Sequence, residues 1–183
     1  MIPEGQRFLL ERLAAKHAAP LSRYYAENRR HLAPWEPARP EAYHSEEAWQ
    51  QRIIEFEREA TAGASVRFVA VDLDGIEIIG TCNFSNIVRG AFQACHLGYS
   101  IAEKHQGVGL MTEILAVTIK HVFDELGLHR IMANYMPENV ASARVLEKLG
   151  FEQEGYAKSY LLIAGQWRDH VLTARLNPGF SVD

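Results

Sequence analysis

Gln106-Gly107-Val108-Gly109-Leu110-Met111 separates a run of strand character, Phe92 to Ile101, from a strong helix candidate, Thr112 to Leu126. Glycines at such a junction let the backbone come close to a ligand, while the first unpaired N–H groups of the helix point outward. Together with the helix dipole those donors make a site for a diphosphate. A glycine-rich connection with no ligand explains the same two residues, so the surroundings must decide. No Gly-Lys-Ser/Thr follows, which excludes a P-loop. Three strands precede the segment and the third glycine is missing, which excludes a dinucleotide fingerprint.

Working outward, the helix after the loop carries Ile114, Leu115, Thr118, Ile119, Val122 and Phe123 on one face, with Gly127 placed as its C-cap. His129 to Met136 then reads as a strand, so strand, helix and strand in succession predict one parallel crossover. Asn139 to Leu149 is a short helix closed by Gly150. Phe151 to Ile163 and Gln166 to Leu176 form a closing hairpin turning at Ala164-Gly165. Upstream, Val66 to Leu73 and Ile76 to Phe84 pair across Asp74-Gly75, a dipeptide suited to a tight turn, and Asn86 to Gly90 is a polar loop.

The first third is mainly helical. Leu21, Tyr24, Tyr25 and Asn28 keep helical spacing in a helix finished by Pro34 and Pro37. A second helix starts at Ser45, whose hydroxyl caps it, and presents Trp49, Ile53 and Phe56 on one face; a rigid loop, Leu32 to His44, joins the two. Phe8 to Leu13 fits either an edge strand or helix, and is read as strand. The expected class is α/β in the α+β sense: a twisted, mostly antiparallel sheet of about seven strands with one parallel pair, flanked by helices.

The 183 residues suit one domain, 1–183. No apolar run approaches the length of a bilayer, and Met1 to Arg7 lacks the apolar core of a secretory signal, so a cytoplasmic protein is expected. Cys82 and Cys95 read as buried free thiols, with neither redox nor zinc chemistry. A formal charge of -4 argues against general nucleic-acid binding and permits a basic partner.

The glycine loop resembles that of the GNAT acetyltransferase superfamily, a Gln/Arg-x-x-Gly-x-Gly/Ala segment that holds the pyrophosphate of coenzyme A. Gln106 and Gly109 match, and Met111 departs from the last small residue. Asn139-x-x-Ser142, followed by Val145-Leu146-Glu147-Lys148-Leu149-Gly150-Phe151, resembles the superfamily's Asn-led helix and its Gly-Phe exit. Asn83-Phe84-Ser85-Asn86, Leu97-Gly98-Tyr99-Ser100-Ile101, Met132-Ala133-Asn134-Tyr135-Met136-Pro137 and Gly165-Gln166-Trp167-Arg168-Asp169-His170 are similar to the RimJ/RimL type, which acetylates the N-terminal alanine of ribosomal proteins. The likeness runs from Tyr24 to Leu176.

The resemblance implies acetyl-CoA, without a metal, lying in a V-shaped split between Phe92 to Ile101 and His129 to Met136. A ribosomal protein's N-terminal amine, of the small subunit for the RimJ type, attacks the thioester directly. Neither membrane nor sequence-specific nucleic acid is implied, and the oligomeric state stays open. Cofactor contacts are expected from Tyr99, Ser100, Ile101, Gln106, Gly107, Val108, Gly109, Leu110, Met111, Asn139 and Ser142. An acetyltransferase for a small-molecule amine and a non-catalytic ribosome-assembly factor are the competing readings.

Such a reaction needs a neutral amine, a stabilised oxyanion and a proton for the thiolate. An α-amine, with a reference pKa of about 7.7 to 8.0, costs only about 1 kcal/mol to deprotonate at neutral pH, against about 4 to 5 for lysine. A weak base or water therefore suffices. Unpaired backbone N–H groups around Ser100 and Ile101 are the expected oxyanion donors, unless they pair normally in the sheet. The tyrosine that protonates sulfur in many relatives is replaced by Leu146, and Ser142 resembles the serine given that role in RimL-type enzymes; a helix hydroxyl bonded to its own backbone is the plain alternative. Glu113 and His96 are equal candidates for the base, although Glu113 also fits helix capping and His96 partial burial. Trp35, Glu36, Asn83, Ser85, Tyr135 and Tyr160 are expected around the acceptor. Arg168-Asp169-His170 receives no catalytic role.

Overall fold

The computed structural model describes residues 7–181; Met1 to Gln6, read above for a secretory signal, lie outside them. Seven strands form one sheet in the order β1-β2-β3-β4-β5-β7-β6. They are β1 (Leu9–Arg12), β2 (Val66–Val71), β3 (Ile78–Val88), β4 (Ala94–Ile101), β5 (Arg130–Tyr135), β6 (Glu152–Ile163) and β7 (Gln166–Leu176). Every neighbouring pair is antiparallel except β4 and β5. The exception follows from the crossover helix α4 (Leu110–Asp124), which returns the chain to the end where β4 began.

Alternation sorts the sheet residues onto two faces. One face packs under α4 and α5 (Val140–Lys148), burying Phe68, Phe84, Cys82, Cys95 and Ile131 against Ile114, Leu115, Ile119, Val122 and Leu146. The other carries Val69, Val71 and Ile78 under α1 (Ala18–Glu27) and α3 (Glu46–Thr61), whose Leu21, Trp49 and Ile53 close that layer. Both cysteines are free, and burial pushes their thiols up to about 12. Among the described residues no helix is long and apolar enough to cross a membrane, and no cluster of three His, Cys, Asp or Glu side chains could hold a metal.

Ser45 caps α3 as read, its hydroxyl accepting from the Ala48 N–H at 3.2 Å. The closing hairpin also turns where expected, with positive φ at both Ala164 (48°) and Gly165 (78°). Several boundaries differ. Asn86 to Val88 belong to β3 rather than to a loop: Asn86 takes φ 51° and the register shifts between Ser85 and Val88, so a bulge absorbs the polar residues without ending the strand. The Asp74-Gly75 turn is wider than two residues, because Asp72 Oδ1 accepts from the Ile76 and Glu77 N–H groups at 2.7 and 3.1 Å. β2 therefore stops at Val71 and β3 starts at Ile78. Helix α4 includes Leu110 and Met111, which the sequence reading left in the loop.

The first helix ends neither at Pro34 nor at Pro37. It breaks at Asn28, continues as α2 (Arg29–Leu32), and tightens into a 3-10 turn, Ala33–Trp35. Asn28 is 7% exposed; its Nδ2 donates to the Tyr24 carbonyl at 2.9 Å and its Oδ1 accepts from the Glu103 N–H at 2.8 Å. One side chain thus ties the helical corner to the loop before α4. Asn28→Ala should cost about 1 to 2 kcal/mol, since it strands the half-buried Glu103 N–H, while the Tyr24 carbonyl keeps the backbone N–H of residue 28 at 3.0 Å. Chemical denaturation of the variant against wild type measures this, and a change within about 0.5 kcal/mol would reject the tie.

Candidate active site

β4 and β5 pair at three positions, Ala94 with Arg130, Cys95 with Ile131 and His96 with Met132. Beyond them β4 stays with β3 as far as Ile101, while β5 follows β7 as far as Tyr135, so the sheet opens into a split. The β3 side is held tightly: a Cβ on Gly80 would lie 2.7 Å from the Ser100 carbonyl oxygen, so only glycine fits there. The direction of the free backbone groups follows from the flanking bonds. The His129 and Arg130 N–H groups both donate to the Gln93 carbonyl, whereas the Ala102 N–H donates to Ile79. Odd-numbered residues of β4 therefore present their backbone towards β5, and even-numbered ones towards β3. Tyr99 and Ile101 open into the split, while the Ser100 backbone faces β3 and leaves only its side chain for the site.

A cleft of about 570 Å³ runs from this split to the start of α4. Tyr99, Ser100 and Ile101 form one wall, Gln106, Gly107 and Gly109 the floor, and Asn139 and Ser142 the opposite wall. Gly107 and Gly109 take φ of 77° and 80°, a left-handed conformation that bends the chain into the helix and that other residues adopt at a cost. Leu110 and Met111 bury their side chains in the core, so the large side chain at Met111 does not obstruct the loop. What they offer is the N–H groups of a first helical turn, which have no partner within the helix. Val108 points away; it is exposed, and its carbonyl accepts from Arg7.

Asn139 caps α5, with Oδ1 accepting from the Ser142 N–H at 3.0 Å. That cap fixes where the Ser142 hydroxyl stands, 2.8 Å from the Tyr99 hydroxyl. Tyr99 is pushed well above the ordinary phenol range by burial, so it stays protonated. Its one O–H has two acceptors in reach, the Ser142 hydroxyl at 2.8 Å and the Ser142 carbonyl at 3.3 Å; when it donates to the closer hydroxyl, the serine's own proton faces the cleft.

On the other side of the split, Tyr24 Oη lies 2.9 Å from Ser100 Oγ, which in turn lies 3.0 Å from Thr81 Oγ1. Behind these hydroxyls a second cleft of about 300 Å³ opens between the sheet and α3, reaching Asn83 and Ser85. Glu36 lines both clefts, and Trp35 the first. Burial raises the Glu36 carboxyl to about 7, with Arg39 pulling weakly the other way. The Glu36 carbonyl accepts from the Ala164 N–H at 2.9 Å, pinning the corner to the tip of the closing hairpin.

Besides Val108, four anticipated residues line neither cleft. Glu113 is engaged by Arg7 at the surface. His96 occupies the last paired position before the split, where burial lowers its pKa and leaves Nδ1 without a partner. Tyr135 packs against the core under α4, and Tyr160 rests on His170 with its hydroxyl accepting from Asn134. Conversely His31, Arg144 and Lys148 line the first cleft without having been anticipated. Arg144 and Lys148 stand four apart on α5, a spacing that puts two cations on one helix face and was there to be read. His31 Nε2 lies 3.2 Å from Gln106 Nε2, a contact made only by the fold.

A split parallel pair, with a glycine-opened helix start facing it, is the architecture the sequence resemblance implied. The model of the acetyltransferase (GNAT) domain matches residues 7–152, and the chain belongs to that family. Within it, the chain is 53% identical over 161 residues to the [ribosomal protein uS5]-alanine N-acetyltransferase of Escherichia coli strain K12, covering 88% of this chain and 83% of that protein. The crystal structure of a ribosomal-protein-S5-alanine acetyltransferase from Vibrio fischeri superposes with a TM-score of 0.93 at 41% identity, over 98% of each chain. Mycobacterium smegmatis RimJ in complex with CoA-disulfide gives 0.86 at 36% identity, over 91% of this chain and 80% of that one.

Proposed function

We propose that this protein, acting in the cytoplasm as one acetyltransferase domain, moves the acetyl group of acetyl-CoA onto the N-terminal α-amine of a small-subunit ribosomal protein, with alanine as the first residue. The observation that carries the reading is the meeting of two clefts at one half-buried carboxyl, Glu36, beside the open end of the β4–β5 split. One cleft has the donors for a diphosphate; the other is of a size for peptide side chains. The uS5-alanine specificity of the Escherichia coli relative supports the substrate class.

In this reading the diphosphate rests on the N–H groups from Gly107 to Thr112, and Arg144 and Lys148 meet phosphate at the mouth. The thioester carbonyl lies in the split, where the odd-numbered N–H groups of Tyr99 and Ile101 face the developing oxyanion. The amine attacks the carbonyl carbon, Glu36 accepts the proton the amine loses, and the C–S bond breaks. Ser142 Oγ–H gives its proton to the departing thiolate while the Tyr99 hydroxyl, which keeps its own proton, holds the serine oxygen by a hydrogen bond; the serine regains a proton from solvent, to which Glu36 releases the one taken from the amine. Glu36 thus takes the part that the sequence suggested for Glu113 or His96.

Ser142→Ala should lower kcat about 10- to 100-fold and leave the KM for acetyl-CoA within about twofold, since the hydroxyl acts on the leaving group rather than in binding. Steady-state thiol release with an alanine-starting peptide measures both constants; an unchanged kcat rejects the acid role. The substrate itself is tested by mass spectrometry of ribosomal proteins from cells with and without the gene. One protein should lose a single acetyl group from its N-terminus. If every N-terminus is unchanged while the enzyme turns over polyamines or aminoglycosides, the reading is wrong and the small-molecule alternative replaces it.

A further inference from the structure

The second cleft is electrostatically opposite to the protein around it. The chain carries a formal charge of -4, yet Arg39, Arg52 and Arg67 line this cleft and Glu36 is the one carboxylate among its described lining residues. Arg52 is clamped, its guanidinium 3.7 Å from the Trp49 ring centre and 3.8 Å from that of Tyr43, with Nη2 donating to the Tyr43 carbonyl at 2.6 Å. Arg67 has a side chain only 12% exposed and rests on the Phe56 ring, with Nη2 donating to Glu59 at 2.9 Å. His44 and Tyr25 stack with ring centres 4.4 Å apart, and Tyr25 stacks in turn on Trp49 at 5.2 Å. These cations are built into an aromatic frame, unlike arginines that wave from a surface.

The frame is also short of partners. The described residues include five buried side-chain atoms with no hydrogen bond, and three of them, Trp49 Nε1, Arg67 Nε and His44 Nδ1, belong to residues lining this cleft. Trp49 is 7% exposed, and its indole nitrogen can only donate. The Arg67 Nε is likewise a donor only. A buried donor without a partner is unfavourable, so a clustering of them beside fixed cations marks a site suited to an acceptor group.

We propose that this cleft reads an acidic side chain in the acceptor, close behind the residue that is acetylated. The inference rests on the proposed acetylation of a protein N-terminus. With the α-amine at Glu36, a carboxylate a few residues further along the chain, each residue adding at most about 3.3 to 3.6 Å, enters the cleft that Arg39, Arg52 and Arg67 line and whose wall holds the Trp49 and Arg67 donors. Backbone carbonyls would satisfy one donor, but they carry no charge to answer Arg39 and Arg52, since Glu59 pairs with Arg67 alone. The enzyme therefore selects its substrate twice: by the size and charge state of the first residue at the split, and by a negative charge behind it.

The test uses the whole enzyme, acetyl-CoA and alanine-starting hexapeptides that carry glutamate, glutamine or lysine in turn at positions two to five. At one position the glutamate peptide should exceed its glutamine twin at least tenfold in kcat/KM, and the lysine peptide should be poorest. In Arg67→Met the glutamate-to-glutamine ratio should fall to near one. In Trp49→Phe, which keeps the ring and removes the donor, it should fall about threefold; the ratio is internal to each variant, so partial loss of folded enzyme does not disturb it. Equal turnover of the glutamate and glutamine peptides at every position overturns this inference alone, as does a ratio that survives both substitutions. If no alanine-starting peptide is acetylated at all, the proposed function fails and takes this inference with it.

Discussion

Glu36→Gln should cost about 100- to 1,000-fold in kcat/KM at neutral pH and make the protein more stable at the same time. The loss follows from removing a positioned proton acceptor, which contributes about two to four powers of ten where it acts on the reacting amine. The gain follows from the same burial that suits the group to its task. A carboxyl ordinarily titrates at 4.5, and here burial holds it at about 7. The folded protein therefore binds its proton more tightly than the unfolded chain does, and stability declines as pH rises between those two values. Glutamine cannot ionise and escapes that decline. At about 1.4 kcal/mol per pKa unit the variant gains up to about 3 kcal/mol above pH 7, and nothing below pH 4, where both side chains are neutral. Denaturation at pH 4 and pH 8 separates these cases. A carboxyl whose role was only structural would destabilise the protein when replaced, so a lower Tm at pH 8 would count against the base assignment even if activity fell.

The pH profile of the wild type follows from the same group. kcat/KM for an alanine-starting peptide should rise through about 7 as Glu36 loses its proton. It should go on rising until the amine, with a reference pKa of about 7.7 to 8.0, is also neutral. In Glu36→Gln only the amine's ionisation should remain.

How far the sequence reached depended on the kind of physics involved. Local signals translated directly: Ser45 caps α3, Ala164-Gly165 turns the hairpin, and two glycines open the start of α4, because each rests on dihedral angles and bonds within a few residues. Asn86 misled because a polar residue with positive φ signals a loop and a bulge alike, and only the pairing of β3 with β4 distinguishes them. Asn28, read as one position on a helix face, is where that helix breaks, since its partner Glu103 is far along the chain. The direction of the β4 backbone was legible only once its register with both neighbours was known, which keeps Ile101 among the free N–H groups and replaces Ser100 by Tyr99. Glu36 was legible only as one residue of the loop between two helices, expected to face the closing hairpin; its partial burial, the property that suits it to the proposed role of base, belongs to a fold in which the corner meets the hairpin. Tyr43, Trp49 and Arg52 were within reach, since their spacing in and before α3 brings them to one side, but no local rule says that a distant Arg67 joins them.

Gly109→Asp separates binding from folding at the other end of the site. Gly109 is the residue before α4, with φ at 80° and open space where a Cβ would go. Aspartate tolerates that conformation better than most residues, so its cost in strain is about 1 kcal/mol. A carboxylate at the start of a helix returns part of this through the dipole, about 0.3 to 1 kcal/mol, and the stability of the fold should therefore change little. The diphosphate has the opposite experience. Its negative charges would lie where the new carboxylate stands, and the N–H groups that received them would be partly answered by the side chain. A loss of about 3 to 4 kcal/mol is expected, equivalent to a rise of about 100- to 1,000-fold in the Kd for CoA. Calorimetric titration with CoA measures the affinity, and thermal denaturation without ligand shows whether the fold is intact. Salt carries a further signature: raising ionic strength should weaken CoA binding to the wild type, by screening Arg144 and Lys148, and should weaken it less in the variant, where the same ions also screen the repulsion. Unaltered CoA affinity in a folded Gly109→Asp protein would mean that the diphosphate does not lie on the helix start, and the assignment of the glycine loop would have to be given up.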